Sequence, residues 1–171
     1  MNTLIQANIS LLNQATSLIQ NVSDEHFTQF PAPAFQAGVG THVRHCLDFY
    51  IAFFAGLEAK RIDYDARKRD PKIERDRSYA CEKIGAVTAQ LQSLTNLDNR
   101  VELQIKVNDT THGTLGKSSV SRELQALIEH TIHHYALIAV LLRLQGYTPP
   151  PDFGVAPSTW LHWQSHQPIS S

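Results

Sequence analysis

Nine histidines stand in 171 residues, and five of them fall in two short segments. Thr41-His42-Val43-Arg44-His45 holds two, and Glu129-His130-Thr131-Ile132-His133-His134-Tyr135 holds three. Neutral imidazole is a common ligand of divalent metals. His130 and His134 are four residues apart, so on a helix they share one face about one turn from each other. A third imidazole from a facing helix completes a tri-histidine set with open coordination positions, the way catalytic metals are held. The chemistry to look for is that of one bound divalent metal.

The same spacing excludes a neighbouring chemistry. A zinc protease needs Glu directly after the first histidine of the pair, and Thr131 stands there. On a helical wheel His130 and His134 lie among Leu127, Leu137, Ile138 and Leu141, facing the core or its edge, and His133 lies about 100° to the flank. In the other segment His42 and His45 compete as the third ligand, and the wheel leans slightly to His42. Any one of these histidines taken alone is more often a half-buried, hydrogen-bonded core residue. An inward pair facing a second pair favours the metal.

Other residues weigh less. Cys46 neighbours His45 but points about 100° away on a helix, so it is read as a small core residue. Asp48, three residues after His45, is either an acceptor that fixes the imidazole tautomer or half of an Arg44–Asp48 pair at i, i+4. Residues 61–70 could line the mouth of the site and receive an anionic thiol or acid, although a solvated loop is the commoner role for such a run. The glycines near Gly113 and Gly116 lack the Lys-Ser/Thr of a phosphate loop. Ligation requires neutral imidazole, so the reference pKa of about 6.5 places the loss of metal below about pH 6.

The elements that must position these residues are helical. Asn2 to Val22 repeats Leu4, Ile5, Ile9, Leu12, Leu18 and Ile19 at helical spacing. Phe30-Pro31-Ala32-Pro33 is a loop. A second helix runs from about Val39 or Thr41 to Ala59, with a stripe of Val43, Leu47, Tyr50, Ile51, Phe54 and Leu57. Lys60 to Arg77 has eight Lys or Arg against five Asp or Glu. It reads as a surface connection outside the core. Ser78 to Leu94 is the third helix. Val101 to Val107 alternates like a strand, His112 to Gly116 reads as a turn, and a second short strand near Lys117 closes a hairpin. The last long helix begins at Ser121, Gly146 is its C-cap, and Pro149-Pro150-Pro151 forbids continuation. Phe153, Trp160 and Trp163 predict that part of the tail packs.

Composition sets the bounds. At 42% hydrophobic and with few Pro and Gly, the chain is globular rather than disordered. A net charge of -1 offers no footprint for nucleic acid. Two distant cysteines make no disulfide framework, as in a cytoplasmic protein. The N-terminus lacks the pattern of a signal peptide, and no apolar run can span a bilayer. The expectation is a single domain over residues 1–171: an all-α four-helix bundle with a small β-hairpin before the last helix. Such bundles build metal sites from side chains on facing helices.

The segment Gly38-Val39-Gly40-Thr41-His42-Val43-Arg44-His45-Cys46-Leu47-Asp48 resembles the second-helix segment of the DinB-like superfamily, damage-inducible four-helix metalloproteins. Glu129 to Tyr135 resembles that family's His-x-x-x-His on the last helix. Asp152-Phe153-Gly154-Val155-Ala156-Pro157-Ser158-Thr159 is similar to the tail of one subgroup. The resemblance implies the four-helix fold and a divalent metal, commonly zinc, nickel or iron, on His45, His130 and His134. It also implies thiol chemistry, since characterised relatives include transferases that use bacillithiol or mycothiol and a mycothiol-dependent maleylpyruvate isomerase. A metal-dependent transferase of low-molecular-weight thiols is therefore the expected activity. Its partners are a small-molecule thiol or electrophile, with neither nucleic acid nor membrane, and a homodimer is compatible with it. The rival is a non-enzymatic stress protein whose metal is structural or whose pocket senses a ligand.

Overall fold

Apolar stripes at helical spacing give four long helices, and each turns its stripe toward the others. In α1 (Asn2–Asn21) the stripe buries Ile5, Ile9, Leu12, Leu18 and Ile19. The computed structural model describes residues 2–33, 35–94, 102–106 and 115–166. A short α2 (Asp24–Thr28), capped by Ser23, leads to α3 (Val39–Ala59). Then come β1 (Arg61–Ile62), α4 (Arg77–Ser93), β2 (Glu102–Lys106), β3 (Leu115–Ser119), α5 (Val120–Leu144) and α6 (Pro157–Ser165). α1 packs on α4 and α5, and α3 packs on the same two, so the four close into a ring around one core. The chain is mostly α, as its periodicity predicts. No described helix is long and apolar enough to cross a membrane.

Local chemistry sets the helix ends. Asp76 caps α4 by accepting from the Tyr79 N–H, and Ser119 caps α5 by accepting from the Arg122 N–H. At the end of α3, Lys60 takes a left-handed φ of 52° and returns its N–H to the carbonyls of Gly56 and Leu57. Gly146, at φ 81°, follows the end of α5 as expected for a terminating glycine.

The structure corrects four readings. The stripe on α3 is rotated, because that helix lies against α4 and α5 at once. Phe53 is buried, whereas Ile51 is 43% exposed. The charged connection after α3 does reach the core: Ile62 and Ile73 are fully buried. Arg61 and Ile62 form a strand parallel to β2, and β2 pairs antiparallel with β3, so the expected hairpin is part of a three-stranded sheet. Gly56 permits this return, since a Cβ there would come within 2.6 Å of the Arg61 carbonyl. Leu115 and Gly116, expected in the turn, belong to β3. Val101, Val107 and the remaining turn residues lie outside the described residues.

The tail packs in part. Phe153 is buried and stacks on Tyr135, with centroids 4.7 Å apart. Gly154, at φ 75°, brings the backbone so close that a Cβ would stand 2.7 Å from the Tyr135 carbonyl. The Tyr135 hydroxyl donates to the Leu11 carbonyl of α1 (2.9 Å). α6 itself buries no residue, and Trp163 is 49% exposed.

A buried polar cluster ties α1, α3 and α5 together. The Tyr50 hydroxyl donates to Asn8 Oδ1 (2.8 Å) and lies 3.3 Å from Thr131 Oγ1. Asn8 Nδ2 donates to the carbonyls of Leu4 (2.8 Å) and Leu124 (3.1 Å).

Candidate metal centre

The faces that α3 and α5 turn to each other carry the histidines. His45 Nε2 stands 3.2 Å from His130 Nε2. The His134 ring centroid lies 4.6 Å from those of both His45 and His130. One ring nitrogen from each of the three lies within 4.8 Å of the others, a group that can hold a metal ion. Two nitrogens bound tetrahedrally at 2.0–2.1 Å from one ion stand about 3.3 Å apart. The 3.2 Å separation fits that requirement, and it also suits a direct N–H···N hydrogen bond. Among the described residues no fourth His, Cys, Asp or Glu joins the group.

His42 and His133 fall outside it. His42 turns its Nδ1 to Nδ1 of His134, 3.0 Å away, which leaves Nε2 as the His134 nitrogen available to an ion. A ligating imidazole commonly gives its second nitrogen to such a partner, which fixes its tautomer and orientation. His42 Nε2 is itself buried without a hydrogen-bond partner. His133 is exposed on the flank.

The surroundings keep the imidazoles neutral, which is the ligating form. Burial, then the positive charge of Arg67 and Arg44, brings the His45 pKa down to about 4. Burial, then His45, does the same to His130, also to about 4. His134 falls to about 3, from burial first and then its neighbour His130. Burial also lowers His42. These shifts move the onset of protonation well below the reference value, so proton competition for an ion begins at lower pH than the sequence alone implies.

The two open readings of Asp48 resolve. Arg44, buried among α3 and the connection, pairs with Asp48 and with Glu74, so Asp48 serves that pair. Cys46 is buried, and burial raises its thiol pKa far above the usual range, as befits a core residue.

An aromatic wall flanks the site. Phe49, one turn after His45, stacks on His130 (3.8 Å between centroids) and meets His45 edge-on (5.1 Å). Tyr64, from the charged connection, stacks on Phe49 (5.0 Å), and the Arg67 guanidinium sits over the Phe49 ring (4.4 Å). The connection thus folds back over the histidines, because β1 anchors its start beside α3. Phe49, Tyr64, Leu127 and His130 line a cleft of about 380 Å³. Glu123, buried in the same wall, accepts from the Tyr64 hydroxyl (2.7 Å) and from Ser118 Oγ. It precedes His130 by seven residues on α5, roughly 10 Å along the helix.

The expectation that residues 61–70 could line the mouth of the site holds for Tyr64 and Arg67, while Phe49 and Glu123 were missed in the sequence. The i+4 spacing of Phe49 from His45 and the i−7 spacing of Glu123 from His130 were the signals that could have found them. Tyr64 was reached only as part of the charged run, since its exact place depends on how the connection folds.

The chain matches the model of the DinB family over residues 1–164, and it belongs to that family. It is also similar to FK506-binding protein 5 of Rhizopus delemar, 36% identical over 104 residues. That match covers 59% of this chain and 27% of the relative, so the chain spans about a quarter of that protein's length.

Proposed function

We propose that this DinB-family chain binds one divalent metal through His45, His130 and His134 and uses it in the chemistry of a small-molecule thiol, as a metal-dependent transferase. The observation that carries the reading is the convergence of three imidazoles held neutral by burial, beside a cleft of about 380 Å³. Zinc, nickel and iron all accept nitrogen ligands of this kind. Such an ion, when bound, supplies Lewis acidity that lowers the pKa of a thiol ligand and favours the nucleophilic thiolate. The residues do the rest. His42 orients His134, Phe49 and Tyr64 exclude water from one side, and Glu123 offers a carboxylate at the far end of the cleft to a donor on the substrate.

The rival, a structural or sensing role, calls for a fourth protein ligand filling the coordination sphere. Asp48 is engaged by Arg44 and His42 by His134, which supports the enzyme. Cobalt substitution tests the choice. The d–d spectrum of the cobalt protein is expected to change with at least one of bacillithiol, mycothiol, glutathione and cysteine, and to lose the change in His130→Ala. A spectrum indifferent to all four makes the rival the better account.

A further inference from the structure

Of the eight cations in residues 60–77, two have a carboxylate neighbour among the described residues, and all the others but Arg67 are exposed. Arg77 pairs with Asp24, and Lys72 stands near Asp76. Arg67 differs. Among the described residues its guanidinium makes no hydrogen bond and no ion pair, and its Nε is buried. Its one close partner is the face of Phe49, 4.4 Å away. A cation–π contact holds the guanidinium by its plane and leaves its edge donors unused.

The position gives those donors a purpose. Phe49 is in ring contact with both His130 and His45, and the charge of Arg67 is felt at both imidazoles. A permanent cation beside a site for a divalent cation is unfavourable by simple Coulomb repulsion. It becomes favourable once an anion lies between the two. The nearby acids have other partners: Asp48 and Glu74 pair with Arg44, and Asp63 with Lys106, so Arg67 feels the Asp48 charge without bonding to it. The missing partner is then carried by the ligand.

We propose that Arg67 is the anion-recognition residue of this site, and that its substrates are small molecules bearing a carboxylate close to the group that meets the metal. The planar fork of the guanidinium suits a carboxylate, which it can bind through two parallel N–H bonds. The inference rests on the metal reading above, but not on its thiol part.

The test uses the cobalt-loaded full chain and two probe pairs matched in size. Mercaptoacetate is set against 2-mercaptoethanol, and the monohydroxamate of succinate against butyrohydroxamate. Affinity is read from the cobalt spectrum. In wild type the carboxylate member of at least one pair should bind about 10- to 100-fold more tightly, the range of a charge-assisted hydrogen bond. In Arg67→Met, which keeps the apolar cover over Phe49, the ratio should fall to about one while the neutral probes bind as before. Arg67→Lys should keep part of the preference. Circular dichroism confirms that each variant is folded. Failure to take up cobalt at all sinks the metal reading and this inference with it. Uptake with no probe response, with no preference in wild type, or with the same preference in Arg67→Met overturns the role of Arg67 alone.

Discussion

Two polar clusters bridge α3 and α5, one of them reaching α1 as well, and they are finished differently. The Asn8–Tyr50–Thr131 cluster closes on itself: both polar atoms of Asn8 are bonded, and the Tyr50 hydroxyl has two neighbours. The histidine cluster does not close. His42 Nε2, His130 Nδ1 and Arg67 Nε are buried without partners. A buried donor or acceptor without a partner costs about 1–3 kcal/mol. Of the six such side-chain atoms among the described residues, three gather at this one site. Thr131 belongs to the closed cluster and His130 to the open one, so adjacent residues of α5 join the two clusters from different faces.

The sharpest way to break this contrast is to remove one member of each cluster. In His134→Ala the metal content of protein purified without added metal should fall from about one ion per chain to near zero by elemental analysis, and His133→Ala should change nothing. Full metal in His134→Ala would erase the functional side of the comparison.

His42→Phe keeps the ring and removes the partner of His134 Nδ1. Metal affinity in competition with a chelator should weaken about 10- to 100-fold without being abolished. Complete loss would instead make His42 a ligand.

Tyr50→Phe leaves Asn8 Oδ1 unpaired in the closed cluster. The unfolding free energy in urea should drop by about 1–3 kcal/mol, with metal content intact. A change in metal content there would mean that the clusters are coupled.

A further test of the contrast is in pH. The three histidines have folded pKa values of about 3 to 4, below the unfolded value of about 6.5. Between those values the unfolded chain binds more protons than the folded one, so the stability of the metal-free protein falls as the pH drops from about 6.5 toward 4. Above 6.5 this contribution is flat. The slope measured by denaturant titration should be shallower in His45→Phe, and an equal slope would mean that other groups dominate. Metal retention at pH 5 should exceed what the reference pKa implies.

Much of this was legible in the sequence because helical spacing is local. The i, i+4 pair and the amphipathic stripes placed α1, α3, α4 and α5 to within one or two residues, and fixed which α5 histidines face inward. The distinction between His42 and His45 was not legible from periodicity. It depends on how far α3 is rotated, and that is set by α4 and α5 packing on it together. The strand Arg61–Ile62 was missed because two residues in a charged run carry no pattern, and their partner lies more than forty positions away. The stacking of Tyr64 and Arg67 on Phe49 escaped for the same reason, since it forms only once that strand turns the connection back.

The contacts at Tyr135 have a mechanical consequence. This residue follows His134 directly, and it is pinned by Leu11, by the Phe153 ring and by the backbone at Gly154. Together these act as a key in a shaft, stopping α5 from turning about its own axis. An imidazole about 6 Å from that axis moves roughly 1 Å for each 10° of turn, which is half the length of a metal–nitrogen bond. A chain ending after Gln145 would keep every histidine of the site, yet it would lose two of the three stops that hold two of those histidines at a fixed angle to the third.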